Sequence, residues 1–166
     1  IELLAERLRT EESERFSIHL SYQTVCDDSM LELLKHHLLK HKVPANALII
    51  EFKEDEVVQN LRHMKALMDE FNTLGCMLCV VGIGHGSMQF SYLRYLPVEL
   101  IRIDAAIIKN LGRSNFTKVL VKSMIDICHA LYKNVGAEGV DTAIATELLT
   151  DFGIDCIQGT VVTSKD

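Results

Sequence analysis

Five short stretches of this chain end in side chains able to hold an ion or move a proton. They are His19 with Ser21, Glu51, Arg102 with Asp104, Glu138, and Gln158. A sixth stretch, Val81-Gly82-Ile83-Gly84-His85-Gly86, ends in glycines with no acid after them. A guanidinium stays protonated at any physiological pH, so Arg102 can hold a phosphate but cannot act as a general base. It can equally pair with Glu138 in a structural salt bridge. His19 suits a polar strand-end residue satisfied by Ser17 or Ser21, because a lone histidine is weak evidence of a ligand. Glu51 and Gln158 also suit solvated strand termini.

The elements that must position these groups follow from apolar periodicity. Phe16, Ile18, Leu20 and Tyr22 alternate with Ser17, His19 and Ser21, which predicts a strand over 16–22. A helix over 30–39 places Leu31, Leu33, Leu34, Leu38 and Leu39 on its apolar side, and Pro44 turns the chain into a strand over 47–52. Val57, Leu61, Met64, Leu67, Met68 and Phe71 predict a helix stopped by Gly75. Strands over 77–81, 98–104, 134–138 and 154–158 follow, with helices over 116–132 and 142–152 between the later ones. Asp141 stands just before the last helix, where it suits an N-cap as well as a ligand contact.

Strictly alternating strands and helices predict a parallel sheet, either open or closed as a barrel. One polar contribution from each strand end favours a (β/α)8 TIM-like barrel, which gathers such residues at its mouth. An open sheet would collect them at the reversal of strand order. Six strands are short of eight, so the barrel is expected to be incomplete, with the missing part mainly before Ile1.

Composition narrows the function classes. Hydrophobic residues make up 48% and prolines number two, which fits a single folded domain over 1–166 and not a disordered tract. A net charge of −6 without a Lys/Arg block argues against nucleic-acid binding and direct membrane contact. The start at Ile1 suggests a piece of something longer. Five cysteines without repeating spacing read as free thiols in a reducing compartment. Cys76 and Cys79 form a CxxC, but at the start of a strand their separation points them to opposite faces, unlike a zinc pair.

The glycine run also invites a dinucleotide-binding reading, with Asp104 about 20 residues on as the ribose acid. Its pattern is GxGxG, with Ser87 where the third glycine belongs, and Pro97 cuts the intervening helix short. Two βα units precede it, which also weighs against that reading.

Taken in order, the motifs resemble the EAL family, phosphodiesterases that cleave the bacterial messenger cyclic di-GMP, together with their inactive relatives. The resemblance runs through Ile18-His19-Leu20-Ser21 against vNlS, Glu51-Phe52-Lys53-Glu54 against ExxE, and Ile83-Gly84-His85-Gly86 against FGTG. It continues through Phe90 to Val98, Arg102-Ile103-Asp104 against KID, Ala137-Glu138-Gly139-Val140-Asp141 against AEGVE, and Gln158-Gly159 against QGY.

The resemblance implies two Mg or Mn ions held by carboxylates and an asparagine, which generate hydroxide for attack on the phosphodiester. Glu51 and Glu138 match metal-ligand positions, Gln158 stands beside them, and Glu54 matches the brace of the FGTG loop, here Gly84 and Gly86. Asp141 keeps the second carboxylate one methylene shorter. Against these, His19 replaces the asparagine, Val81 and Gly82 replace an aspartate pair, and Arg102 replaces the lysine that assists the water. Too little negative charge remains for a two-metal centre, so the expectation is a degenerate, inactive domain without a metal cofactor.

Such a domain resembles the FimX-like and LapD-like branches. It would work as a cyclic di-GMP receptor using Arg102, Glu138, Asp141, Gln158 and His19, with a ligand-free protein-interaction scaffold and, behind it, a residual cyclic di-GMP phosphodiesterase as the alternatives. The resemblance further implies the bacterial cytoplasm, a larger multidomain or membrane-tethered protein, and a protein partner or homodimer contacting residues 87–96.

Overall fold

The structure is a computed structural model that describes residues 1–8, 15–84 and 90–160. His85 and Gly86 of the glycine run, and Ser87 to Gln89 after it, lie outside the described residues. Strand order is sequential from the first strand to the sixth, and the pairs of strands one with two, four with five and five with six are parallel. That is the order of a (β/α) barrel, with six of its strands present. The chain groups into two compact units, Ile1–Cys79 with Tyr95–Val98, and Val80–Arg94 with Glu99–Asp166.

The first unit holds α1 (Glu2–Arg7), β1 (Phe16–His19), α2 (Tyr22–Val25), α3 (Asp28–His41), β2 (Leu48–Lys53), α4 (Glu54–Gln59), α5 (Leu61–Leu74) and the start of β3 (Met77–Ile83). Leu48, Ile50 and Phe52 alternate into the core, where Phe52 meets the edge of Phe71 at 6.2 Å between ring centroids. β1 ends three residues earlier than predicted. Ser21 stops it, because its hydroxyl accepts the amide of Thr24 and caps α2.

Two other expectations need correction here. Leu33 and Leu39 of α3 are 53% and 80% exposed, so of the predicted apolar set Leu34 and Leu38 are buried and Leu31 is half-buried. The helix predicted from Val57 to Phe71 is two helices that break at Asn60, whose φ of −126° and ψ of 33° are not helical. Gly75 does end α5, in the left-handed region at φ 94°.

The second unit carries the rest of β3, then β4 (Leu100–Ile103), α6 (Ala105–Ile108), α7 (Asn115–Ala130), β5 (Asn134–Glu138), α8 (Ala143–Asp151) and β6 (Cys156–Gln158). Ile101, Ile103, Val135 and Ala137 are buried, as are Val121, Met124, Ile125 and Cys128 of α7 and Leu149 of α8. Side chains alternate along a strand, so Arg102 in β4 and Glu138 in β5 face away from that layer. The register sets Arg102 beside Gly136, Gly136 beside Cys156, and Glu138 beside Gln158. Among the described residues no helix is long and apolar enough to cross a membrane.

Candidate functional site

Three groups meet in the second unit. The Arg102 guanidinium donates from Nη1 to Gln158 Oε1 at 3.3 Å, and the same nitrogen lies 3.6 Å from Glu138 Oε1. The side chains of Arg102 and Glu138 are 14% and 30% exposed, so the pair is screened less than a surface ion pair would be. The salt bridge anticipated between these two residues is therefore present, with Gln158 as a third member.

Arg102 reaches them across a bare strand position. A Cβ placed on Gly136 would stand 3.2 Å from Arg102 Cγ and 2.7 Å from Cys156 Sγ. Neither Gly136 nor Cys156 stands out by residue type. The available signal was a glycine inside a strand, between Val135 and Ala137, which marks close approach by another group.

The strand end at Val81-Gly82 carries no donor side chain. Gly82 has φ 79°, and a Cβ there would lie 3.8 Å from Asp104 Oδ2. Asp104 uses its other oxygen, Oδ1, to accept the Ala106 amide at 2.7 Å, capping α6. Gly84, at φ 104°, is pressed against α6 and α7: a Cβ there would sit 2.5 Å from Ile107 Cδ1 and 3.0 Å from Met124 Cε.

Asp141 is not the cap of α8. That role belongs to Thr142, whose hydroxyl accepts the Ala145 amide at 3.2 Å. Asp141 Oδ1 instead accepts the amide of Thr160 at 3.2 Å and its hydroxyl at 2.9 Å. These bonds, the backbone one foremost, hold the carboxyl below the usual aspartate range.

In the first unit His19, the last residue of β1, is the register partner of Glu51, two residues before the end of β2, with His19 exposed and Glu51 half-buried. Ser21 is committed to Thr24, both as the cap of α2 and through a 2.9 Å hydroxyl contact. Glu54 opens α4 and is buried. A further cluster forms around Tyr22, which the alternating pattern places in the strand but which opens α2. Its amide donates to Glu56 Oε2 at 3.0 Å, and its hydroxyl lies 2.8 Å from His63 Nδ1.

The residues present do not fit a two-metal centre. Val81 and Gly82 bring no oxygen donor, and Arg102 sets a permanent positive charge against Glu138, where a divalent ion would need negative charge. Among the described residues no group of three or more His, Cys, Asp or Glu is arranged to hold a metal.

Comparison with known proteins adds family and fold. The EAL domain profile matches residues 1–164. Over 143 residues the chain is 28% identical to the signaling protein YkoW of Bacillus subtilis, covering 86% of this chain and 18% of that protein. It is 25% identical over 162 residues to the cyclic di-GMP phosphodiesterase PdeF of Escherichia coli, covering 98% and 22%. The chain thus spans about a fifth of the length of these curated relatives.

Among solved structures, the FimX EAL domain from Pseudomonas aeruginosa bound to c-di-GMP superposes with TM-score 0.89 at 24% identity, covering 98% of this chain and 65% of that one. A PaMucR phosphodiesterase in complex with c-di-GMP gives TM-score 0.90 at 20% identity, covering 98% and 66%. At these identities the likeness establishes the fold.

Proposed function

Because the chain belongs to the EAL domain family, we propose that its 166 residues are one domain of a bacterial cyclic di-GMP signalling protein and that this domain binds the dinucleotide without hydrolysing it. The observation that carries this reading is the Arg102 guanidinium, set at a strand end within 3.6 Å of Glu138 and 3.3 Å of Gln158. A fixed cation there can meet a phosphodiester, while Glu138 can accept from a guanine edge. It cannot take a proton from water. The curated relatives named as phosphodiesterases and the c-di-GMP complexes of the FimX and PaMucR domains support cyclic di-GMP as the ligand.

Asp141 belongs to the proposed contact set through its hold on Thr160 beside Gln158. The domain would act in the cytoplasm, passing occupancy to a protein partner or a second copy.

A second reading is a scaffold that no longer takes the ligand. It draws on the same geometry, since Arg102 already contacts Glu138 and Gln158 and a ligand must compete with them.

Calorimetric titration of cyclic di-GMP into the protein at its full natural length, in EDTA, separates the readings. Micromolar binding, weakened by Arg102→Ala or Glu138→Ala, supports the receptor, whereas no heat at saturating ligand leaves the scaffold. Steady release of linear pGpG in manganese overturns both.

A further inference from the structure

Gly136 occupies the middle of β5, where a glycine forfeits cross-strand packing and loses more backbone entropy on folding than alanine would. Its neighbours show what the missing side chain makes room for. On one side a Cβ would meet Arg102 Cγ at 3.2 Å, and on the other Cys156 Sγ at 2.7 Å. The register places these three residues in one row across β4, β5 and β6. Glu138 and Gln158 form the next row on the same face, two residues further along their strands. The Arg102 stem therefore crosses the gap over Gly136 and brings its guanidinium to the following row, where it contacts both Glu138 and Gln158.

From this we infer that Gly136 is a positioning residue: it seats the Arg102 guanidinium as a resident cation at Glu138 and Gln158, and Cys156 bounds the seat. The inference deepens the receptor reading and rests on it for the identity of the ligand, but the seat itself is defined by contacts within this chain. It explains why the residues here do not suit a divalent ion. The positive charge that Glu138 faces is covalently part of the protein, so ligand occupancy should be indifferent to manganese. A side chain at position 136 pushes the arginine stem off the strand and draws the guanidinium away from the Glu138 carboxylate. Gly136 is thus a positioning residue that acts through Arg102.

The two contacts differ in how they yield. Cys156 Sγ can turn about χ1, so alanine at 136 is resisted mainly by the thiol, while valine must also displace the arginine stem. Gly136→Ala should have a partial effect that Cys156→Ala largely relieves, and Gly136→Val a full effect that it does not relieve.

The test is the rate at which phenylglyoxal modifies Arg102 in the folded protein, followed by peptide mass spectrometry, with thermal melts to confirm folding. The expected result is a rise of about tenfold in Gly136→Val, the scale of losing one hydrogen bond to a charged group. Gly136→Ala should fall between, and Gly136→Ala/Cys156→Ala should return close to the parent rate. Unchanged Arg102 reactivity in both folded glycine variants overturns the inference, as does failure of Cys156→Ala to rescue the alanine variant. If Gly136→Val does not fold, the alanine pair decides alone. Because the labelling requires no ligand, a protein that fails to bind cyclic di-GMP yet shows this pattern sinks the receptor reading and leaves the seat standing.

Discussion

Asp141 clasps Thr160, accepting the amide at 3.2 Å and the hydroxyl at 2.9 Å through one carboxylate oxygen. The clasp closes the exit of β6 two residues past Gln158 and is reinforced where the Val140 amide donates to the Gln158 carbonyl at 3.0 Å. The carboxylate is held below its ordinary value of 3.8, so its stabilising effect is present above that value and lost as pH falls through the lowered one. Asp141→Asn should therefore be less stable than the parent at neutral pH, with the gap closing at acid pH. Urea unfolding across that range checks it, and a gap that stays undiminished well below the lowered value contradicts the clasp. Thr142→Ala, which removes the cap of α8, should cost about 1 kcal/mol at every pH.

Much of this arrangement could be read from the sequence, and the failures have physical causes. The first strand followed from the alternation of Phe16 and Ile18 with Ser17 and His19, and Gly75 ended its helix because only glycine enters the left-handed region freely. The Arg102–Glu138 pair was legible because two opposite charges stood at successive strand ends. What escaped was short or lacked chemistry of its own. α6 spans four residues, too few to show a period, and Asp104, its cap, was weighed as a strand-end acid. The position that admits the guanidinium is a glycine, which has no side chain to notice. Asp141 was weighed as a cap because the true cap, Thr142, is its neighbour.

The five thiols should react in a fixed order. Cys26 is exposed, and Cys156 is also exposed but its thiol is pushed up by burial, an effect the Arg102 charge partly offsets. Cys76 and Cys128 are buried, and burial pushes both to about 11. Timed reaction with a chromogenic disulfide at pH 8 should therefore modify Cys26 first and Cys156 next. Cys76, Cys79 and Cys128 should react only after denaturant is added. Rapid native labelling of Cys128 would contradict its burial on the inner face of α7.

Asp155 ties the end of α7 to the start of β5. One oxygen, Oδ2, lies 2.8 Å from His129 Nε2 and accepts the Val135 amide at 2.7 Å. Asp155→Ala leaves the Val135 donor without that acceptor, so the expected loss is about 1–2 kcal/mol in chemical denaturation, the range for a partly exposed charged hydrogen bond. His129→Ala should cost less, because both side chains of the His129–Asp155 contact are partly solvated. Equal losses in the two variants would assign the stabilisation to the His129 contact and not to the amide.

Restoring acids at the end of β3 tests the inactive reading from the opposite side. Val81→Asp with Gly82→Asp returns two carboxylates, but position 82 has φ 79°, where a non-glycine residue is strained by about 1–3 kcal/mol. The new carboxylate would also start 3.8 Å from Asp104 Oδ2, and two like charges in a small space raise one another's protonation. Arg102 would still face Glu138 with a charge that repels a divalent ion. The double variant should be less stable and should release no pGpG in manganese, as followed by chromatography. Adding Arg102→Lys removes the forked cation and supplies a group whose proton can be shifted by its surroundings. Turnover in the double variant while Arg102 remains would show that the guanidinium does not block the metal, and the resident-cation account would fall with it.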